Sequence, residues 1–203
     1  ERMPATLELT LAAMVIAVSA AVPVGILSAA RRNSLLDHAG MVLALLGQSM
    51  PVYWLGIMFI LLFAVRLNLL PAFGAGGWQH LVLPAVTLGA FSMARIARLT
   101  RSSMLEVLGQ EYVRTARAKG LSELRTVLKH ALKNAAIPVV TVIGLDMGTL
   151  LGGAVITETI FAWPGVGRLA VQAISYRDYP LVQAAAFPLA LICVRINVFV
   201  DVL

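Results

Sequence analysis

An all-helical membrane protein with about five spans is what this sequence predicts, and three observations predict it. First, 60% of the 203 residues are hydrophobic and only 13% are charged, whereas a soluble domain is about 45–50% apolar and about 25% charged. A soluble core of this size could not hide so many apolar side chains, and a mean hydropathy of +0.88 asks for a bilayer as solvent. Second, five apolar stretches qualify or nearly qualify as the ~20 residues a helix needs to cross hydrocarbon. Third, basic residues gather in alternate connecting segments.

The elements follow in order. The apolar stretches are 7–30, 39–65, 82–100, 135–157 and 181–203. None alternates with a period of two, as a membrane barrel strand must. Backbone groups in hydrocarbon need internal partners, so the stretches are helices. Arg31-Arg32-Asn33-Ser34 follows the first. Asn68-Leu69-Leu70-Pro71 and Gly74-Ala75-Gly76-Gly77 form a turn-rich loop before the third. Arg95 and Arg98 interrupt the third near one end, where they snorkel or the helix leaves the membrane. Pro51, Pro84, Pro138 and Pro188 fall in or near span interiors; proline is tolerated there and often kinks the helix. Residues 101–134 are polar, and 158–180 form a loop with Trp163-Pro164-Gly165 and Arg177-Asp178-Tyr179-Pro180. Glu1-Arg2-Met3-Pro4 has no initiator or signal pattern, and Val202-Leu203 ends within an apolar run, so the chain reads as a fragment truncated at both ends.

Charge sets the orientation. The formal net charge is +6, which in a soluble protein would suggest nucleic acid. Here Arg31, Arg32, Arg95, Arg98, Arg101, Arg114, Arg117, Lys119, Arg125, Lys129 and Lys133 share one side, eleven in all, against four on the other: Arg2, Arg66, Arg168 and Arg177. The positive-inside rule makes the first side cytoplasmic. Topology then accounts for the basic balance.

The cytoplasmic segment 101–134 is the most specific part of the sequence. Over 102–119 there is no proline and one glycine, Gly109, and Leu105, Leu108, Tyr112, Thr115, Ala116 and Lys119 recur at helical spacing. Gly120 supplies a left-handed stop. Ser122 is placed to cap a second short helix over 123–132, with Glu123 at its positive end and Lys129 near its negative end. The outcome is a helix–glycine–helix projection whose small residues Ala116, Ala118 and Gly120 let another surface come close. On composition alone, a basic loop held to anionic lipids explains the segment equally well.

Tyr112-Val113-Arg114-Thr115-Ala116-Arg117-Ala118-Lys119-Gly120-Leu121, followed by His130-Ala131-Leu132-Lys133-Asn134-Ala135, resembles the EAA loop of binding-protein-dependent permeases, the membrane subunits of ABC importers. Arg114-Thr115-Ala116 stands where Glu-Ala-Ala would be, and Lys133 where a proline is common. Both departures are usual in the dipeptide, oligopeptide and nickel branch. Other segments fit as well: residues 2–9, Leu69-Leu70-Pro71, Leu83-Pro84-Ala85, Ala94-Arg95-Ile96-Ala97-Arg98, 158–168, and Arg177-Asp178-Tyr179-Pro180. Arg195 departs from the apolar residue such proteins carry there.

The resemblance implies an ABC importer type I transmembrane domain over 1–203, with a missing span and extracytoplasmic domain before Glu1 and a short missing tail. It implies an inner or plasma membrane location in a bacterium or archaeon. It also implies a second permease, two cytoplasmic ATPases and an extracytoplasmic binding protein as partners. Tyr112, Arg114, Thr115, Ala116, Lys119, Gly120, Leu121 and His130 are then the residues that couple to the ATPase. No cofactor is implied, and ATP hydrolysis belongs to another subunit. The transported solute stays open among dipeptides, oligopeptides, nickel complexes and glutathione.

Other residues admit two readings. Asp146 is an ionisable group in mid-span, which either lines a path or pairs with a neighbouring helix. Gly148, Gly152 and Gly153 make the stretch narrow and flexible, as a path or gate would need, and the small-xxx-small spacing of Gly148 and Gly152 suits close helix contact, including contact between permease subunits, equally well. Glu158, beside Trp163-Pro164-Gly165, is either an external gate or dock, or a capping acid beneath an aromatic belt. An intramembrane enzyme using Asp146 and Glu158 is disfavoured, since 12 residues on one helix separate them by about 18 Å. A passive channel would not need the 101–134 projection. His38, His80 and His130 show no metal-ligand spacing, Cys193 lies alone in an apolar run, and no phosphate-binding loop is present.

Overall fold

The computed structural model describes residues 2–202; Glu1 and Leu203, on which the expectation of truncated ends partly rests, lie outside the described residues. In chain order the helices are α1 (Met3–Ala30), α2 (Leu35–Ser49), α3 (Val52–Phe59) with a π-helical continuation Ile60–Arg66, α4 (Trp78–Leu108), α5 (Glu111–Ala118), α6 (Glu123–Arg125) with a π-helical continuation Thr126–Ala131, α7 (Leu132–Ile160), α8 (Val166–Ser175) and α9 (Tyr179–Val202). No strand occurs among the described residues. Four helical runs among them are long and apolar enough to cross a membrane: Met3–Ala30, Trp78–Leu108, Glu123–Ile160 and Tyr179–Val200. A fifth span is formed if α2 and α3 are taken together, although they are bent by 107°.

That bend corrects the expected continuous span 39–65. Pro51 is extended, at φ −60 and ψ 136. It pushes the residue before it out of the helical region, so α2 ends at Ser49 and a new helix begins at Val52. Pro23, Pro84, Pro138 and Pro188 lie inside unbroken helices.

The expected helix over 102–119 is corrected as well. It breaks at Gly109-Gln110, where Gln110 is extended (φ −74, ψ 150). Glycine is the poorest helix former after proline, and the Gly109 and Gln110 N–H groups close the end of α4 on Glu106 and Val107 oxygens. The second short helix does start at Glu123 but does not stop near residue 132. No glycine or proline lies between 123 and 137 to end it, so it widens into π turns and runs on into α7.

Packing falls into two units, to both of which α1, α4 and α7 contribute residues. The first comprises Glu1–Ala17, Met50–Phe91 and Gly144–Leu203. Ile60, Leu83 and Phe161 form one of its cores, flanked by Phe59, Phe63 and Leu70. Along α9, Phe187, Leu191, Val194, Val198 and Phe199 are exposed, as is Arg195. The second unit comprises Val18–Ser49 and Ser92–Ile143. Its core joins Ala29 and Met104 to Val127, Ala131 and Ala135, and so draws together the ends of α1 and α4 and the arm that follows Gly120.

Candidate functional site

The segment 101–134, predicted to couple to an ATPase, lies wholly within the second unit. α5 carries strongly polar side chains on one face, and buries Val113 and Ala116 on the other. It packs against the π-helical stretch, where Thr126, Val127 and Ala131 are buried. Ala116, predicted as part of a surface for a partner, is thus only 7% exposed. Its small size serves the approach of α5 to the second arm of the same chain.

The turn between the arms is a complete Schellman motif. Gly120 stands at φ +79; its N–H donates to the Arg117 oxygen at 2.9 Å, and the Leu121 N–H donates to the Ala116 oxygen at 3.4 Å. These two bonds satisfy carbonyls that a helix end leaves open. Ser122 occupies the cap position with extended backbone, but its hydroxyl makes no cap bond. Two side-chain ties brace the hairpin. Arg117 grips Glu123 through Nε–Oε2 (3.1 Å) and Nη2–Oε1 (2.6 Å), and that contact holds the Arg117 guanidinium protonated more firmly than in water. Asn134 Nδ2 donates to the Tyr112 hydroxyl at 2.7 Å. Arg114, Thr115, Ala118 and Lys119 stay exposed, while Leu121 and His130 are half-buried. The predicted residues therefore share one hairpin, with Arg114, Thr115, Lys119 and Gly120 on its open surface. Asn134 and Glu123 were not predicted as site residues, since only the folded hairpin brings them to Tyr112 and Arg117.

The remaining candidates, Asp146, Gly148, Gly152 and Glu158, lie on α7 in the first unit. Asp146 is buried, at 1% exposure. Gly148 faces α9: a Cβ there would sit 3.1 Å from the Cys193 sulfur, and the Cys193 thiol donates to the Gly148 oxygen at 3.3 Å. Gly152 is exposed, with nothing within 4 Å of a Cβ position. The small-xxx-small ridge is consequently half occupied by this chain's own helix and half open.

Glu158 is fully buried. Thr6 Oγ1 donates to its Oε1 at 2.6 Å, and the Arg168 N–H donates to its Oε2 at 3.0 Å. The Val166 N–H in turn donates to Thr6 Oγ1 at 2.9 Å. The carboxylate sits at the N-terminus of α8, where the helix dipole favours negative charge. Gly165 leaves room for it, since a Cβ there would overlap the carboxylate. Trp163 is buried and donates from Nε1 to the Ala5 oxygen at 2.8 Å, while Arg168 Nη1 donates to the Ala162 oxygen at 2.6 Å. The 161–168 turn is thereby bolted to the start of α1. Thr6 had no marker in the sequence beyond being a hydroxyl in an apolar run.

Among the described residues no group of three His, Cys, Asp or Glu could hold a metal ion. Asp146 and Glu158 both lie on the uninterrupted α7, so their wide separation along the helix stands.

Comparison with known proteins gives these arrangements a setting. The sequence profile of the family described as binding-protein-dependent transport system inner membrane component matches residues 21–203. The chain is 46% identical over 233 residues to the dipeptide transport system permease protein DppB of Escherichia coli strain K12, covering 100% of this chain and 69% of that protein. It is 47% identical to the di/tripeptide transport system permease protein DppB of Pseudomonas aeruginosa, covering 98% and 68%. The glutathione transport system permease protein GsiC of Salmonella choleraesuis is 49% identical, covering 98% and 65%. Among solved structures, the MetNI methionine ABC transporter in inward-facing conformations superposes with TM-score 0.81 at 21% identity, covering 98% of this chain and 91% of that one. An amino acid ABC transporter gives 0.76 at 14% identity, covering 98% and 89%. The fold is that of an ABC importer transmembrane domain.

Proposed function

The chain belongs to the binding-protein-dependent transport system inner membrane component family, and from that premise we propose that it is the permease subunit of an ATP-driven importer of small peptides or a related solute such as glutathione or a nickel complex. It is a multi-pass component of the bacterial inner membrane. A second, similar permease completes the translocation path. Two cytoplasmic ATPases grip the coupling hairpins, and an extracytoplasmic binding protein delivers the solute and sets most of the specificity.

One observation carries this reading: a hairpin braced by two side-chain ties, which buries Val113, Ala116, Val127 and Ala131 and leaves Arg114, Thr115, Ala118 and Lys119 open, with Leu124 and Leu128 exposed on the same hairpin. A segment that only connected two spans would need neither the Schellman turn nor two side-chain braces. Closure of the ATPases on ATP moves the hairpin, and the permease passes between inward-open and outward-open packings, a shift between two populations. Asp146, Gly148 and Gly152 contribute to the path or to its helix contacts, and Glu158 acts by fixing the 161–168 turn.

Replacing Gly120 by tryptophan tests the coupling role. Uptake of a labelled dipeptide is abolished and the ATPase subunits are released on purification, while helical content and membrane insertion are unchanged. Normal uptake by that variant would remove the coupling role.

A further inference from the structure

We propose that the Asp37–Arg101 ion pair is a clamp that sets the bearing of the coupling hairpin, which makes both residues positioning residues for transport; this rests on the coupling role proposed above. The pair is a two-pronged fork. Arg101 Nε donates to Asp37 Oδ1 at 2.6 Å and Nη2 donates to Oδ2 at 2.7 Å. The Asp37 side chain is 3% exposed and that of Arg101 25%.

Each partner is anchored in its own element. Asp37 stands in the first turn of α2. Its carboxylate also accepts the Asn33 N–H at 3.0 Å, and its own N–H donates to the Ser34 hydroxyl at 3.2 Å. Asn33 itself is left-handed, at φ 60. The acid is therefore built into the corner between α1 and α2. Arg101 lies in the last part of α4, one turn before Met104. Met104 is fully buried and packs with Ala29 at the end of α1 and with Val127 and Ala131 on the second arm of the hairpin. Beside Arg101, Ala97 and Thr100 lie against Gly25 of α1, so closely that a Cβ on Gly25 would meet the Ala97 oxygen at 2.7 Å.

Burying two charges stabilises a fold no more than apolar side chains of equal volume would. What a fork adds is direction. A planar guanidinium on a carboxylate fixes the rotation of α4 about its axis, which a lysine cannot do. That rotation decides where Met104 points and where the chain leaves α4 for Gly109 and α5. The clamp passes the setting of the α1–α2 corner to the hairpin.

The test uses the assembled transporter, permeases and ATPases together, in liposomes. Arg101→Lys keeps the charge and loses the fork; Asp37→Asn loses the charge. Three quantities are read: uptake of labelled dialanine, ATP hydrolysis, and hydrogen exchange of the 111–118 amides. Arg101→Lys is expected to lower uptake about tenfold, the size of an ordinary coupling between sites. Hydrolysis persists and the 111–118 amides exchange faster, while those of α7 and α9 are unchanged; Asp37→Asn does the same or more. Uptake and exchange like the parent in Arg101→Lys would overturn the clamp. So would loss of the complex in Arg101→Lys, because the pair would then hold the fold and not a direction. The Gly120→Trp variant is run beside it. If that variant also transports normally, the coupling role itself falls; if only the clamp variants do, the clamp alone falls.

Discussion

At Gly120 the backbone stands at φ +79 and nothing lies within 4 Å of a Cβ position, so alanine there would be strained by conformation alone. The left-handed region costs an L-residue roughly 1–2 kcal/mol. Gly120→Ala should therefore raise exchange of the 116–121 amides, and Gly120→Asn should raise it less, since asparagine tolerates that region better; equal effects would mean the turn has another conformation. Gly167 is sensitive for the opposite reason. Its φ is ordinary, but a Cβ would lie 2.6 Å from the Val155 Cα, which is backbone and cannot swing away. Overpacking of this kind costs about 1–3 kcal/mol, so Gly167→Ala should lower the melting temperature of the purified protein in detergent, and an unchanged value would refute the close approach. Glu158 was legible as an acid near a proline–glycine turn. Thr6, its partner, was not, because 152 positions separate them and a threonine in an apolar helix more often bonds its own backbone. Thr6→Val takes the hydroxyl partner from Glu158 Oε1 and from the Val166 N–H and costs about 1–3 kcal/mol, whereas Thr6→Ser should recover most of it; equal melting temperatures for the two variants would show that the hydroxyl is idle.

Elements were legible where composition decides them and illegible where a single backbone bond does. Five apolar stretches marked the spans, and the described residues of each fall within a helix or, for 39–65, within a bent pair. Hydropathy reports the solvent of a segment and not its continuity, so the 107° bend at Pro51 left no mark in it. The two π-helical stretches left none either, since widening a turn changes hydrogen-bond register without changing side-chain polarity. The helical period read over 102–119 runs through Gly109 in the sequence, but α5 buries Val113 and Ala116 while Tyr112, Thr115 and Lys119 of the predicted stripe are exposed. Contact between elements was readable only as potential. Gly144, Gly148 and Gly152 form a ridge on α7, yet α9 takes the first two and leaves the third. A Cβ on Gly144 would overlap the Val200 side chain. Gly144→Ala should therefore destabilise the α7–α9 contact, and Val200→Ala added to it should restore stability; if the double variant is no more stable than Gly144→Ala, the two helices do not meet at this point.

For the chain as a whole, family and fold were the most legible properties and the set of contacts the least. A hydrophobic fraction of 60% placed it in a bilayer, and the resemblance carried by 112–121, 130–135 and the other matching segments placed the family, because lipid and a shared family pattern each constrain the sequence narrowly. The Asp37–Arg101 fork, by contrast, joins residues 64 apart that look like ordinary loop charges. Orientation in the membrane is a property of the whole chain as well, since it follows from the sum of its basic residues. Eleven on one side against four on the other predict, by the positive-inside rule, a cytoplasmic hairpin. Lys119 is exposed in this chain, so in membranes holding the permease without its ATPases a cysteine in its place would react with a membrane-impermeant maleimide. Lys119→Cys should label in inverted membrane vesicles and stay unlabelled in intact spheroplasts. Labelling from the outer face would separate the hairpin from any cytoplasmic ATPase and, by the alternation of spans, would move Glu158 and the 161–168 turn to the cytoplasmic face. A cysteine at Tyr176, which is 84% exposed, should show the opposite pattern. Labelling of both positions from the same face would refute an odd number of crossings between them, which α7 alone supplies.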